Sequence, residues 1–168
     1  MRRTFITFLT LLLLWAVVAQ VNHVLDGHVY LFVGGLFVTY AALSLPLRDG
    51  LAAVVLAGLL CDAGVPVPFG LHALLFGAAH AVVFNIRDHV PREETAARVV
   101  IALLLNLALF LALSFALVGR GPAPGAVWPR LILDLVCSQV GLALVAPWFF
   151  ALQSRTLVLA GVERDSLA

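Results

Sequence analysis

The chain has 168 residues, of which 63% are apolar and 11% charged, with a formal net charge of +1 and a mean hydropathy of +1.10. So few charges cannot supply the polar shell that a water-soluble domain of this size needs, and the balanced charge gives no basis for binding nucleic acid. Composition therefore excludes a soluble enzyme and leaves an integral membrane protein.

A spanning helix takes about 20 apolar residues, and six candidates follow one another with little between them. The first, Thr4–Val21, comes after Arg2 and Arg3. The run Arg2-Arg3-Thr4-Phe5-Ile6 resembles a twin-arginine signal, and Val17-Val18-Ala19 reads as a cleavage site. Everything downstream is apolar, however, so the helix is expected to be retained. The second candidate is Val29–Leu45, with Gly34 and Gly35 on it.

The third, Leu51–Asp62, is short: Leu51 to Cys61 gives only about 16 Å of helix. Starting it just after Pro46 lengthens it and puts Arg48 and Asp49 in its first turn. The Pro/Gly loop Ala63–Gly70 follows, and with Asp62 it is expected to sit below the outer surface. The fourth candidate is Gly70–Ile86, the fifth Thr95–Val118 and the sixth Arg130–Gln153, which Pro147 is expected to kink near its inner end. Strands are excluded, because runs such as Val99–Leu105 lack the alternation a membrane barrel requires.

Arginines in short connections set the orientation. With the N-terminus inside, the inner set is Arg2, Arg3, Arg48, Arg87, Arg92, Arg98, Arg155 and Arg164, against Arg120 and Arg130 outside. Both termini are thus expected in the cytoplasm. Residues 1–153 read as one six-helix transmembrane domain and residues 154–168 as a short cytoplasmic tail. Trp128 and Trp148 fall near opposite interfaces, as aromatic belts do.

Polar residues within the spans are few. Asp62 reads either as a functional ionisable group or as an acceptor for backbone N–H groups of the loop after it. Asn106 and Gln139 lie near the middles of the fifth and sixth spans and read as interhelical clamps; if they meet, leucine substitutions at the two are non-additive. Arg130 and Asp134 are four apart on one helical face and suited to pair, and they continue into a polar and small-residue stripe with Cys137, Ser138 and Gly141. His72 and His80 share a face about 12 Å apart along the axis, too far for one metal. Small residues at spacing four (Ala53/Ala57/Cys61 and Ala73/Gly77/Ala81) allow close packing, within the chain or against a partner. Cys61 and Cys137 read as small apolar residues rather than a disulfide. No cofactor, metal or catalytic centre is expected.

The stretch Gly58-Leu59-Leu60-Cys61-Asp62-Ala63-Gly64, then Pro68-Phe69-Gly70-Leu71-His72-Ala73-Leu74, resembles the signature of the rod shape-determining protein MreD family. That family shows a G-x-x-x-D segment, a small-residue loop and a leucine–glycine or similar pair opening the next helix. Ala146-Pro147-Trp148-Phe149-Phe150 is similar to the end of the family's last helix, and length and helix count agree over the whole chain. Pro66-Val67-Pro68 departs from the family's small polar loop. The resemblance implies a non-enzymatic scaffold subunit of the cell-elongation machinery in the bacterial inner membrane, organising lateral peptidoglycan synthesis. Its implied partners are an MreC-like membrane protein, an MreB-like filament, and RodA with its transpeptidase. Asp62, Gly70, His72, Asn106, Arg130, Asp134, Gln139 and Pro147 are its candidate structural or partner-contact residues.

Two other functions have a foothold. A substrate-binding subunit of an energy-coupling-factor vitamin transporter is also a small six-helix protein, and it would need a pocket lined by groups such as Asp62, His72, Asp134 and Gln139. Glu93-Glu94-x-x-x-Arg98 and Phe76-x-x-x-His80 match elements of intramembrane CAAX-type proteases. They occur in reversed order, the glutamates sit at a helix mouth, and a third histidine element is missing, so a protease is the weakest reading.

Overall fold

The computed structural model describes residues 2–25, 27–64, 67–89, 94–118 and 124–159. Pro66, Arg92, Glu93, Arg120, Glu163, Arg164, Asp165 and the rest of the tail beyond Leu159 lie outside the described residues. Among those described there are six α-helices, one 3-10 turn at Arg87–His89, and no strand. The helices are α1 (Arg2–Val24), α2 (Gly34–Ser44), α3 (Leu47–Gly64), α4 (Leu71–Ile86), α5 (Thr95–Val118) and α6 (Pro124–Leu159).

Three segments, Thr4–Val24, Thr95–Leu117 and Val127–Leu159, are long and apolar enough to cross a membrane. The distribution of side chains suits a chain whose solvent is lipid. Trp148 is 80% and Leu144 70% exposed, while Asn106, His80, Ser138 and Gln153 are fully enclosed. A water-soluble fold would reverse that arrangement.

The fifth helix has the bounds read from sequence, the first and fourth differ by three residues or fewer at either end, and the other three differ by more. α2 begins at Gly34 rather than Val29, because the backbone just before it is held by side chains from other helices. α3 starts directly after Pro46, with the Gly50 N–H on the Pro46 carbonyl at 2.9 Å, and continues to Gly64. Its 18 residues give about 27 Å, so it is not the half-length segment read from Leu51, and Asp62 lies in its last turn. α6 has 36 residues, running past both ends of Arg130–Gln153 and continuing through Pro129 and Pro147.

Successive helices run in opposite directions. At one end Asn22 bonds Leu31, Asp62 bonds Gly70, and Phe115 meets Trp128 with ring centroids 5.4 Å apart. At the other, Thr4 Oγ1 donates to Asp49 at 3.1 Å, and Arg87 Nη1 donates to the Leu45 carbonyl at 3.0 Å. α2 is the hub: every residue from Gly34 to Leu43 is buried, with α3, α4 and α5 packed around it.

Two small-residue positions behave differently where α3 meets α4. A Cβ on Gly58 would stand 2.5 Å from the Ala73 Cα, so the backbones cross with no room for a methyl group. A Cβ on Gly77 would meet only the Val55 and Leu51 side chains, at an ordinary 3.5 and 3.7 Å. Gly58→Ala is therefore expected to cost about 1–3 kcal/mol by overpacking, whereas Gly77→Ala is neutral or stabilising by up to about 1 kcal/mol through lower chain entropy. Denaturant midpoints in mixed micelles check the contrast; equal effects would mean that the crossing is looser than described.

Candidate functional site

α4 opens on Gly70, whose φ of 94° lies in the left-handed region and which has no side chain to cap the helix. The cap comes from α3 instead. Asp62 Oδ2 accepts the Gly70 and Ala73 N–H groups at 3.0 and 3.3 Å, and Oδ1 accepts the His72 N–H at 2.9 Å and His72 Nδ1 at 2.8 Å. The Leu71 N–H reaches the Pro68 carbonyl and the Leu74 N–H the Gly70 carbonyl. All the donors that open a helix without an intrahelical partner are thereby satisfied, and the negative charge sits where the helix dipole favours it. With Asp62 only 4% and His72 5% exposed, the pair is a closed unit.

The second unusual feature is the non-helical stretch ahead of α2. The Tyr30 N–H goes to Asp134 Oδ1 at 2.9 Å, the Phe32 N–H to Ser138 Oγ at 2.9 Å, and the Leu31 N–H to Asn22 Oδ1 at 2.8 Å. Asn22 Nδ2 returns to the Leu31 carbonyl at 2.9 Å. Asn106 spans the start of α2, donating to the Phe32 carbonyl and accepting the Gly35 N–H, both at 3.1 Å. The Ser138 hydroxyl donates to the Asp134 carbonyl at 2.6 Å. Backbone that leaves its helix in an apolar surrounding survives only where the protein supplies partners. Here α1, α5 and α6 supply them.

Between the two features lies a cavity of about 180 Å³, bordered by α1, the stretch before α2, and the facing ends of α3 and α4. Trp15, Asn22, Tyr30, Phe32, His72 and Phe76 are among the residues on its walls. Phe32 and Phe76 both pack on the His72 ring, with centroids 6.4 and 5.8 Å away.

The structure thus gathers Asp62, Gly70 and His72 at one feature, and Asn106 and Asp134 at the other. Arg130 stands 3.9 Å from Asp134 and also donates to the Gly27 carbonyl, so the spacing-four pair ties the loop after α1 to α6. Gln139 belongs to neither group. Its Nε2 donates to the Leu103 carbonyl of α5 at 3.1 Å. Pro147 lies about 20 Å farther along α6 than Asp134. Of the four groups a transporter-type pocket was expected to use, His72 alone lines the cavity. Phe76 is on the cavity wall, while His80 is enclosed a turn further on, stacked against Phe84 at 6.1 Å. Both cysteines are free thiols, and among the described residues no three His, Cys, Asp or Glu side chains gather as a metal site. Sequence reading missed Asn22. Its one signal is a carboxamide in the last turn of the first span, where an amide has backbone within reach.

No hydrogen bond joins Asn106 to Gln139; each is spent on a different part of the backbone. Their leucine substitutions are accordingly expected to add to within about 0.5 kcal/mol, rather than to couple as the sequence suggested. A double-mutant cycle on unfolding free energy checks this.

Compared with known protein families, with curated proteins and with solved structures, the chain shows no match to any of them.

Proposed function

We propose that this chain is a six-span, non-enzymatic scaffold of the bacterial inner membrane, a subunit of the cell-elongation machinery of the MreD type. The observation that carries this reading is where the polar side chains go. Asp62, Asn22, Asn106, Asp134 and Ser138 are spent on the chain's own backbone, so these groups serve to hold one shape, and the apolar exterior is left for contact with partner helices. Six crossings are also dimensionally sound. The eleven residues of α2 give about 16 Å, and the non-helical residues ahead of it carry the second crossing further toward the roughly 30 Å of the hydrocarbon core. The arginine bias, eight against two, supports cytoplasmic termini.

The partners are an MreC-like protein, an MreB-like filament on the cytoplasmic side, and RodA with its transpeptidase. The test has two arms. Single cysteines placed at Arg92 and at Gly27, in a background lacking Cys61 and Cys137, should label from the inside and the outside respectively. The tagged chain, solubilised in mild detergent, should retain an MreC-like partner. Outside labelling at position 92 overturns the topology; copurification with a pair of ATPase subunits instead overturns the scaffold in favour of a transporter subunit.

A further inference from the structure

The Asp62–His72 pair has a side that capping does not use. Both carboxylate oxygens of Asp62 are occupied by donors, and a carboxylate only accepts, so the hydrogen between them belongs to His72 Nδ1. In the neutral ring, Nε2 then carries a lone pair, and His72 is on the cavity wall. Asn22, also on that wall, has both ends of its amide committed to Leu31. Among the described residues no carboxylate or guanidinium lines the cavity, so a charged guest would find no ionic partner there to offset its desolvation. The remaining walls combine aromatic rings, from Trp15, Tyr30, Phe32, Phe37 and Phe76, with small and aliphatic residues. Ring-on-ring contacts there add about 0.5–1.5 kcal/mol beyond area burial. At about 180 Å³ this partly open cavity has room for one small aromatic ring system.

We propose that the cavity binds a small neutral aromatic molecule bearing one N–H or O–H donor, of the size of indole or a phenol, with that donor hydrogen-bonded to His72 Nε2. Asp62 acts as the positioning residue that fixes the tautomer. The site stands whichever membrane partner the chain takes, and its test makes no use of one.

The experiment uses the full chain in phosphatidylcholine nanodiscs, with indole and 1-methylindole as probes. The two differ only in the presence of the N–H. Saturable binding is measured by equilibrium dialysis against the Ala19→Trp variant, in which an indole side chain placed on the cavity wall occupies the space. Indole is expected to bind one site, 1-methylindole at least about tenfold more weakly, and His72→Phe to bind the two alike. If His72→Phe does not fold, the wild-type probe pair and Ala19→Trp decide the matter. The proposal is overturned if indole shows no saturable binding, if both probes bind the wild type equally, or if Ala19→Trp leaves indole binding unchanged.

Discussion

Asp62→Ala is expected to be the most destabilising single substitution in the chain, at about 4 kcal/mol or more. It strips the acceptor from three backbone N–H groups and from the His72 ring together. A buried donor left without a partner costs about 1–3 kcal/mol, and here four donors lose their acceptor at once. Asp62→Asn separates the contributions. One amide oxygen can still serve His72, while an NH₂ turned toward the Gly70 and Ala73 N–H groups cannot accept from them. About half the loss should therefore return with asparagine. Unfolding in mixed micelles, read by helical circular dichroism, measures all three proteins. Alanine and asparagine variants of equal stability would show that the two oxygens do not share the load as described.

Asn106→Leu comes next, at about 2–4 kcal/mol. Interhelical side-chain hydrogen bonds in membrane proteins average only about 0.6 kcal/mol, because the partners usually find alternatives. Asn106 differs in what it serves. Its partners are the Phe32 carbonyl and the Gly35 N–H, main-chain groups at a break where no helical ladder can take them over, and the amide itself is fully enclosed. Leucine leaves both unsatisfied, so the desolvation cost outweighs the small average value. A measured loss near 0.6 kcal/mol would mean that water reaches the start of α2.

Much of the architecture was legible because it depends on side-chain hydropathy. Thr95–Val118 needs nothing but a long apolar run, and its bounds read straight from the residues. The Arg130–Asp134 pair follows from helical spacing alone. The break before α2 was not legible. Tyr30, Leu31, Phe32 and Val33 are as apolar as any helix, and hydropathy is blind to the main chain that Asn22, Asp134 and Ser138 hold. Asp62, Gly70 and His72 stood out as polar or conformationally special residues, yet the cavity beside them depends on Trp15, Phe32 and Phe76. In sequence those three look like ordinary lipid-facing or core aromatics.

The partners of Tyr30 and Phe32 lie 104 and 106 residues downstream. During synthesis, therefore, the stretch before α2 lacks these partners until the segment carrying Asp134 and Ser138 has been made. A chain cut short before Asp134 strands the polar main chain of an early segment as well as losing the late helix.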